Sequence, residues 1–183
     1  MAELAHSDLP AATLALFADS TAAQAAINTT LAAARRYCGW HVSPVLTDAE
    51  VTVDGPGGQV LSLPTLNLVS VDEVDDDGAI IGADDLRVSR LGLVRKRSGG
   101  CWSPEYGAIT ATITHGFTET EALDWRAAIV SIVATRARAT TRDSGDLKRK
   151  KVDDVEYEWF EALVSSDSEL AAKLAQFRIL PRP

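Results

Sequence analysis

One alternating segment constrains the fold of this chain more than any other. It runs from Leu93 to Phe117 and reads LVRKRSGGCWSPEYGAITATITHGF. Near its end Ile109, Ala111 and Ile113 alternate with threonines, and a period of two places the three apolar side chains on one face of a strand. One dry face and one polar face are typical of an antiparallel sheet that covers a core. We therefore expect a strand from Gly107 to His115.

Helix signals lie on both sides of this region. A Thr-x-x-Gln capping box at residues 21–24 is followed by apolar residues at i, i+4, i+7 and i+11, which predicts a helix from about Ala22 to Tyr37. Gly39 should end that helix. A Thr-x-x-Glu capping box at residues 118–121 predicts another helix that runs to about Thr140.

The middle of the chain, residues 40–117, is rich in short β-type runs. The expected strands are Glu50–Val53, Val60–Leu63, Leu66–Val71, Ala79–Ile81, Leu86–Ser89, Gly92–Arg95 and Gly107–His115. Turn signals separate them at residues 54–58, 76–78 and 98–100, where Gly supplies positive φ and Asp caps its own turn. The pattern predicts a sheet built of hairpins.

The acidic residues around one turn have a spacing that also occurs in calcium-binding loops. Glu73, Asp75, Asp77 and Asp84 approximate the ligand positions, and Gly78 stands where such a loop turns sharply. The flanking segments, however, have strand patterns rather than helical ones, and the twelfth position is Asp instead of a bidentate Glu. We favour an acidic hairpin turn and predict no metal site.

The two ends of the chain have weaker patterns. Residues 1–19 predict a packing arm with a short helix after Pro10. Residues 142–151 predict a loop, residues 152–160 (VDDVEYEWF) an edge strand, and a Ser-x-x-Glu motif at 166–169 a last helix stopped by Pro181.

The expected fold class is therefore α+β, in which long helices flank a hairpin-rich antiparallel β insertion, with a C-terminal strand and short helix. A chain of 183 residues is long enough to bury a core as one domain. We expect a single domain over 1–183, divided into an arm (1–19), a helix (20–39), the β-rich insertion (40–117), a helix (118–141) and a C-terminal part (142–183) that contacts partner subunits.

Charge and cysteine usage exclude several classes. The net charge of −8 argues against a protein whose whole surface grips nucleic acid. No basic leader precedes an apolar run and no window approaches 18 apolar residues, so we expect a chain that is neither exported nor membrane-spanning. Cys38 and Cys101 lack the spacing of a zinc or redox pair and are expected to be two buried free thiols.

Catalytic chemistry has no local support in the sequence. His6, His41 and His115 are scattered, and none stands near a nucleophile or a second ligand. We therefore predict no enzyme, no catalytic residue and no cofactor, and expect a structural role for His115. Of the tryptophans, Trp125 is expected in the core and Trp159 at an interface.

Two basic clusters are candidates for contact with DNA phosphates or with an acidic neighbouring subunit. They consist of Arg95, Lys96 and Arg97, and of Lys148, Arg149, Lys150 and Lys151. Clusters of basic residues more commonly lie in solvated loops or form salt bridges than contact DNA. Neither cluster has the alternating aromatic residues of a base-stacking platform, so only non-specific contact is expected.

The order of these elements resembles the head-to-tail connector (adaptor) proteins of tailed bacteriophages. The matching parts are an Ala-rich helix ending in ARRYCGW, a hairpin-rich insertion, a strand ending in THGF, a helix, a loop, the segment VDDVEYEW and a last helix before LPRP. The resemblance implies a structural virion protein, made in the host cytoplasm, that forms a twelvefold ring between portal and tail. Its implied partners are other copies of itself, the portal protein, a stopper or tail-completion protein, and double-stranded DNA passing through the centre.

The C-terminal part is the expected site of partner contact, since the resemblance implies that it reaches into a neighbouring subunit. The predicted interface residues are Val155, Tyr157, Trp159, Phe160, Leu174, Phe177 and Arg178. Two alternatives stay open. A tail-completion or stopper protein usually lacks the two long helices, and a small soluble ligand-binding or regulatory α+β domain would need a well-formed pocket.

Overall fold

The computed structural model describes residues 3–142, 160, 162, 164 and 168–179. Within them the helices are α1 (Ala11–Leu14), α2 (Ser20–Cys38), α3 (Leu123–Arg142) and α4 (Ser168–Ala175), with short 3-10 helices at His6–Asp8 and Ala83–Asp85. The strands are β1 (Leu46–Val53), β2 (Leu61–Ser62), β3 (Leu68–Asp76), β4 (Ala79–Gly82), β5 (Leu86–Val88), β6 (Leu93–Lys96) and β7 (Ile109–His115). Helices and antiparallel strands together confirm the predicted α+β class.

The chain divides into two compact units. The helical unit is built from the residues up to Gly39 and from Ala122 onward, and the β unit is built on residues Trp40 to Glu121. The single domain expected over residues 1–183 stays a prediction. None of the described helices is both long enough and apolar enough to span a membrane.

Helix α2 starts two residues earlier than expected because Asp19 caps it. The Asp19 carboxylate accepts a hydrogen bond from the Ala22 N–H at 2.7 Å. Asp is among the best N-cap residues, so the capping box predicted at Thr21 is wrong. At the other end Gly39 has a φ of 80° and donates its N–H to the Arg35 carbonyl, which confirms the predicted end of the helix.

The second predicted capping box forms. Thr118 donates its N–H and its hydroxyl to Glu121 Oε2, at 3.0 and 2.9 Å, and the Glu121 N–H donates to Thr118 Oγ1 at 3.3 Å. A turn follows, so α3 begins at Leu123, and it extends two residues beyond the predicted end to Arg142.

The core of the helical unit lies where α3 packs against α2 and α4. Its buried side chains are Ala23, Ile27, Leu31 and Ala34 of α2, Trp125, Ile129, Ile132 and Val133 of α3, and Leu170 and Leu174 of α4. The alanines allow the helices to approach closely. Trp125 is fully buried, as predicted, and its ring centroid lies 5.8 Å from that of Phe177.

The N-terminal residues pack onto the helical unit through a buried carboxylate. Glu3 Oε1 accepts a hydrogen bond from the Trp125 indole N–H at 2.6 Å, and Glu3 Oε2 lies 2.6 Å from the Arg35 guanidinium. The Glu3 side chain is only 2% exposed. Leu4 and Leu9 are buried beside it. A buried carboxylate is stable only when such partners surround it, so these contacts hold the arm in place.

The C-terminal part differs from its sequence pattern in two respects. Helix α4 ends at Ala175, well before Pro181, and Phe177 lies in a turn whose N–H donates to the Leu174 carbonyl. The strand predicted for residues 152–160 is wrong at its last residue, because Phe160 is helical; residues 152–159 lie outside the described residues. Phe160 and Val164 are both buried, as one turn of a helix requires.

The β unit contains two antiparallel sheets rather than one sheet of hairpins. Four strands pair in the order β1-β7-β3-β4, and three pair in the order β2-β6-β5. Only β3–β4 and β5–β6 are hairpins between consecutive strands. The Gly-rich segment after β1 does not turn the chain back, because Gly55 and Gly57 donate their N–H groups to the carbonyls of Glu105 and Ser103. The expectation of a sheet built of hairpins was therefore wrong for three of the five strand pairings.

The two sheets enclose a shared apolar core. Its buried residues are Leu61, Leu63, Leu68, Val71, Val74, Leu86, Val94, Trp102, Ile109, Ala111 and Ile113. The predicted alternation of β7 is confirmed, because its two isoleucines and Ala111 are fully buried while its threonines are partly exposed.

Strand β3 runs five residues past its predicted end at Val71. Val74 is buried, Glu73 beside it is exposed, and the buried Asp76 is paired with Lys96. The acidic residues therefore do not interrupt the strand. The predicted acidic turn is confirmed between β3 and β4, where Asp77 and Gly78 have φ angles of 54° and 87°. Two positive φ angles are the signature of the tight hairpin turn.

Candidate partner surfaces

The predicted interface residues occupy different environments. Val155, Tyr157 and Trp159 lie outside the described residues. Phe160, Leu174 and Phe177 are buried in the core of the helical unit, at 1%, 0% and 5% exposure.

Among the predicted interface residues that the structure describes, Arg178 is the exposed one. Its guanidinium lies 4.6 Å from the centroid of the Tyr37 ring. Contact of these residues with a partner stays a prediction, and the packing of the three apolar side chains is explained by their own chain.

The first basic cluster is separated by the alternation of β6. Lys96 turns inward, where its Nζ lies 2.5 Å from Asp76 Oδ2 and 4.8 Å from the centroid of the Trp102 ring. Its side chain is 18% exposed. Arg97 donates to the carbonyls of Asp84 and Leu86 and is engaged with its own chain. The second cluster, Lys148 to Lys151, lies outside the described residues.

Arg95 points outward and has a neighbour that the sequence pattern did not reveal. Strand register pairs Arg95 of β6 with Arg87 of β5, and both are exposed. We call Arg87 and Arg95 the basic face. Arg95 donates to the Gln59 side chain, whereas no described residue is hydrogen-bonded or ion-paired to the side chain of Arg87. Arg87 stands alone in the sequence, so only the pairing of β5 with β6 brings the two together.

The outer face of the four-stranded sheet has the opposite character. Register places Glu50 of β1, Thr112 of β7 and Glu73 of β3 in one row across the sheet. The next row consists of Thr52, Thr110, Asp75 and Ile80. The hydroxyls of Thr52 and Thr110 lie 3.2 Å apart, as side chains on one face must. We call Glu50, Thr52, Glu73, Asp75, Thr110 and Thr112 the acidic face.

The histidines and cysteines do not assemble a reactive centre within the described residues. His115 is buried beside Trp40, and burial lowers the pKa of His115, which keeps the ring neutral at pH 7. Cys38 is buried, and desolvation raises the pKa of its thiol to about 12. Cys101 is exposed, so the expectation of two buried thiols was wrong for Cys101, which follows the Gly-rich turn after β6. No described group of three His, Cys, Asp or Glu residues is arranged to hold a metal ion.

Two solved structures have similar folds. One is a chain from the neck of a native gene transfer agent (GTA) particle, computed with C12 symmetry, with 13% sequence identity and a TM-score of 0.56. The match covers 97% of this chain and 92% of the neck chain. The other is a chain from the neck of an empty GTA particle, computed with C6 symmetry, with 14% sequence identity and a TM-score of 0.59. The match covers 100% of this chain and 95% of that neck chain. The chain has the fold of a particle-neck protein. No protein-family model and no curated protein matches the sequence.

Proposed function

We propose that the chain is a structural subunit of the neck of a phage-like particle, an adaptor that forms a ring between portal and tail. The observation that carries this proposal is the extent of the fold likeness, which covers at least 97% of this chain and 92% of the neck chains. The C12 and C6 symmetries of those neck structures favour a ring.

The role of such a subunit is mechanical. It joins the packaged head to the tail, binds the portal protein on one side and a stopper or tail-completion protein on the other, and leaves a central passage for DNA. A net charge of −8 repels phosphates and so favours passage of DNA without tight binding. The proposal includes no catalysis and no cofactor, and places the protein in the virion.

The two long helices favour an adaptor over a stopper or tail-completion protein. Helices α2 and α3 contain 19 and 20 residues. The C-terminal part from residue 142 onward, which includes Tyr157 and Trp159, remains our proposed contact with the portal or a neighbouring subunit.

Native mass spectrometry tests the proposal directly. The purified chain is measured alone and after mixing with the portal protein of the same particle, and an unrelated ring-forming protein serves as the mixing control. Twelve copies of a 19.6 kDa chain give a mass of about 235 kDa. A complex of that size in either sample is expected. A monomer in both samples, without portal binding, would show that the proposal is wrong.

A further inference from the structure

We propose that the two outer surfaces of the β unit form the contact between successive copies in the ring, with the basic face of one copy packed against the acidic face of the next. This inference rests on the proposed function and specifies which surfaces close the ring.

Charge is segregated between the two sheets. The strands of the four-stranded sheet contain six carboxylates and no Lys or Arg: Asp48, Glu50, Asp72, Glu73, Asp75 and Asp76. The strands of the three-stranded sheet contain three cations and no carboxylate: Arg87, Arg95 and Lys96. Asp76 and Lys96 pair inside the chain, so the remaining charges act outward. Complementary potentials of this kind steer and orient association.

The basic face is unfavourable in an isolated copy. Arg87 and Arg95 are directly opposite each other across an antiparallel pair, and like charges in that position destabilise a sheet. Among the described residues no carboxylate compensates Arg87. An external anionic surface that covers both guanidinium groups would remove the repulsion.

The acidic face has the chemistry to do so. Glu73 and Asp75 lie two residues apart on one strand, roughly 7 Å by strand geometry. Glu50 lies in the same cross-strand row as Glu73, with Thr112 between them. Carboxylates accept two parallel hydrogen bonds from a guanidinium, and threonine hydroxyls supply further donors and acceptors around them.

The position of the two faces fits a ring rather than a two-fold dimer. Both sheets bury their inner faces in one core, so their outer faces point away from each other. A contact between two different, opposed surfaces is heterologous, and repetition of such a contact gives a ring when the rotation closes.

DNA is the competing occupant of the basic face, because arginine also binds phosphate. DNA would account for the basic face alone. A second copy accounts for both faces with one contact, and for the absence of cations from the four-stranded sheet.

Charge reversal with a mixing test separates these possibilities. The first variant carries R87E and R95E, so both of its faces are acidic; the second carries E50R and E73R, so both are basic. Under the condition in which the wild type forms a ring, each variant alone is expected to assemble at least tenfold more weakly. Mixed together they are expected to form an alternating ring with an even number of copies. Native mass spectrometry reads out all samples.

The control variant carries R36E and R138E, two exposed positions on α2 and α3 with the same change in charge as the first variant. It should assemble like the wild type, and circular dichroism should show a folded chain for every variant. Intact rings of the first variant, or no ring in the mixture, would overturn the inference and leave the proposed function standing. Rings that persist while affinity for duplex DNA falls would assign the basic face to DNA. A wild type that never assembles removes both proposals.

Discussion

The buried Glu3 of the helical unit and the basic face of the β unit use charge in opposite ways. In the helical unit Glu3 is buried, and its carboxylate bridges Arg35 and the Trp125 indole. In the β unit Arg87 and Arg95 are exposed beside each other. Buried charges must be paired by their own chain, whereas exposed charges of one sign are available to a partner. Glu3 therefore stabilises its own unit, as the internal Lys96–Asp76 pair does in the β unit, whereas the outward arginines are available to the contact proposed above.

Removal of the buried carboxylate should have the largest effect. The substitution Glu3→Ala leaves the Trp125 indole N–H without its acceptor and the Arg35 guanidinium without this carboxylate, so we expect a loss of about 2–4 kcal/mol in the free energy of unfolding, measured by urea titration. The control is Glu169→Ala, which removes an exposed pair with Lys173 and should cost about 0.5 kcal/mol or less. Equal losses in the two variants would contradict the internal role of Glu3.

The β unit should be most sensitive where its backbones approach closely. A Cβ on Gly55 would lie 2.0 Å from the Ser103 carbonyl oxygen, so Gly55→Ala must displace the segment that joins residues 54–58 to 103–107. We expect a loss of about 2–3 kcal/mol in a denaturant titration. Gly58→Ala is the matched control, since its nearest neighbour would be the Pro56 carbonyl at 3.9 Å. A tolerated Gly55→Ala would show that this approach is not needed.

The basic face should show an effect of opposite sign. Arg87→Gln keeps most of the side chain and removes the like-charge opposition to Arg95, so the monomer should gain about 0.2–1 kcal/mol at low salt. The gain should shrink as salt screens the repulsion. Thermal unfolding at concentrations too low for assembly measures it, with Arg138→Gln as the control. A loss of stability would indicate that Arg87 serves its own chain.

The smallest effect should come from the capping box in front of α3. Hydrogen bonds from the Thr118 N–H and hydroxyl lower the pKa of Glu121 below its usual value of 4.5. A carboxyl with a lowered pKa in the folded state stabilises the fold above its unfolded pKa, and this stabilisation is lost as pH falls through the folded pKa. The denaturation midpoint of the wild type should exceed that of Glu121→Gln at pH 7, and the two should converge as pH falls from 4.5 through the lowered pKa of the folded state. A constant difference across that range would contradict the assignment.

Local patterns predicted the position of most elements. The seven strands expected over residues 40–117 all exist, because a period of two between turn residues depends only on nearby positions. The pairing of strands was not predicted, because it depends on contacts between distant positions, such as that of Val53 with Ile109 across 56 residues of sequence. The basic face was half-predicted for the same reason, since the register of β5 with β6 brings Arg87 to Arg95.

At single residues, competition between similar signals decided the outcome. Asp19 and Thr21 are both good caps two positions apart, and the carboxylate prevailed. Phe160 has a high strand propensity, yet the burial of both Phe160 and Val164 is achieved by a helix.

The central position of β7 also has a consequence for synthesis. Strand β1 ends at Val53, and its partner in the sheet begins at Ile109. At about 5–20 residues per second, β1 leaves the ribosome roughly 3–11 s before that partner exists. During this interval the strand edges of the β unit are unpaired, and such edges are prone to join those of other nascent chains. We expect the carboxylates of Asp48 and Glu50 on β1 to disfavour such pairing, because β1 strands of two nascent chains repel each other.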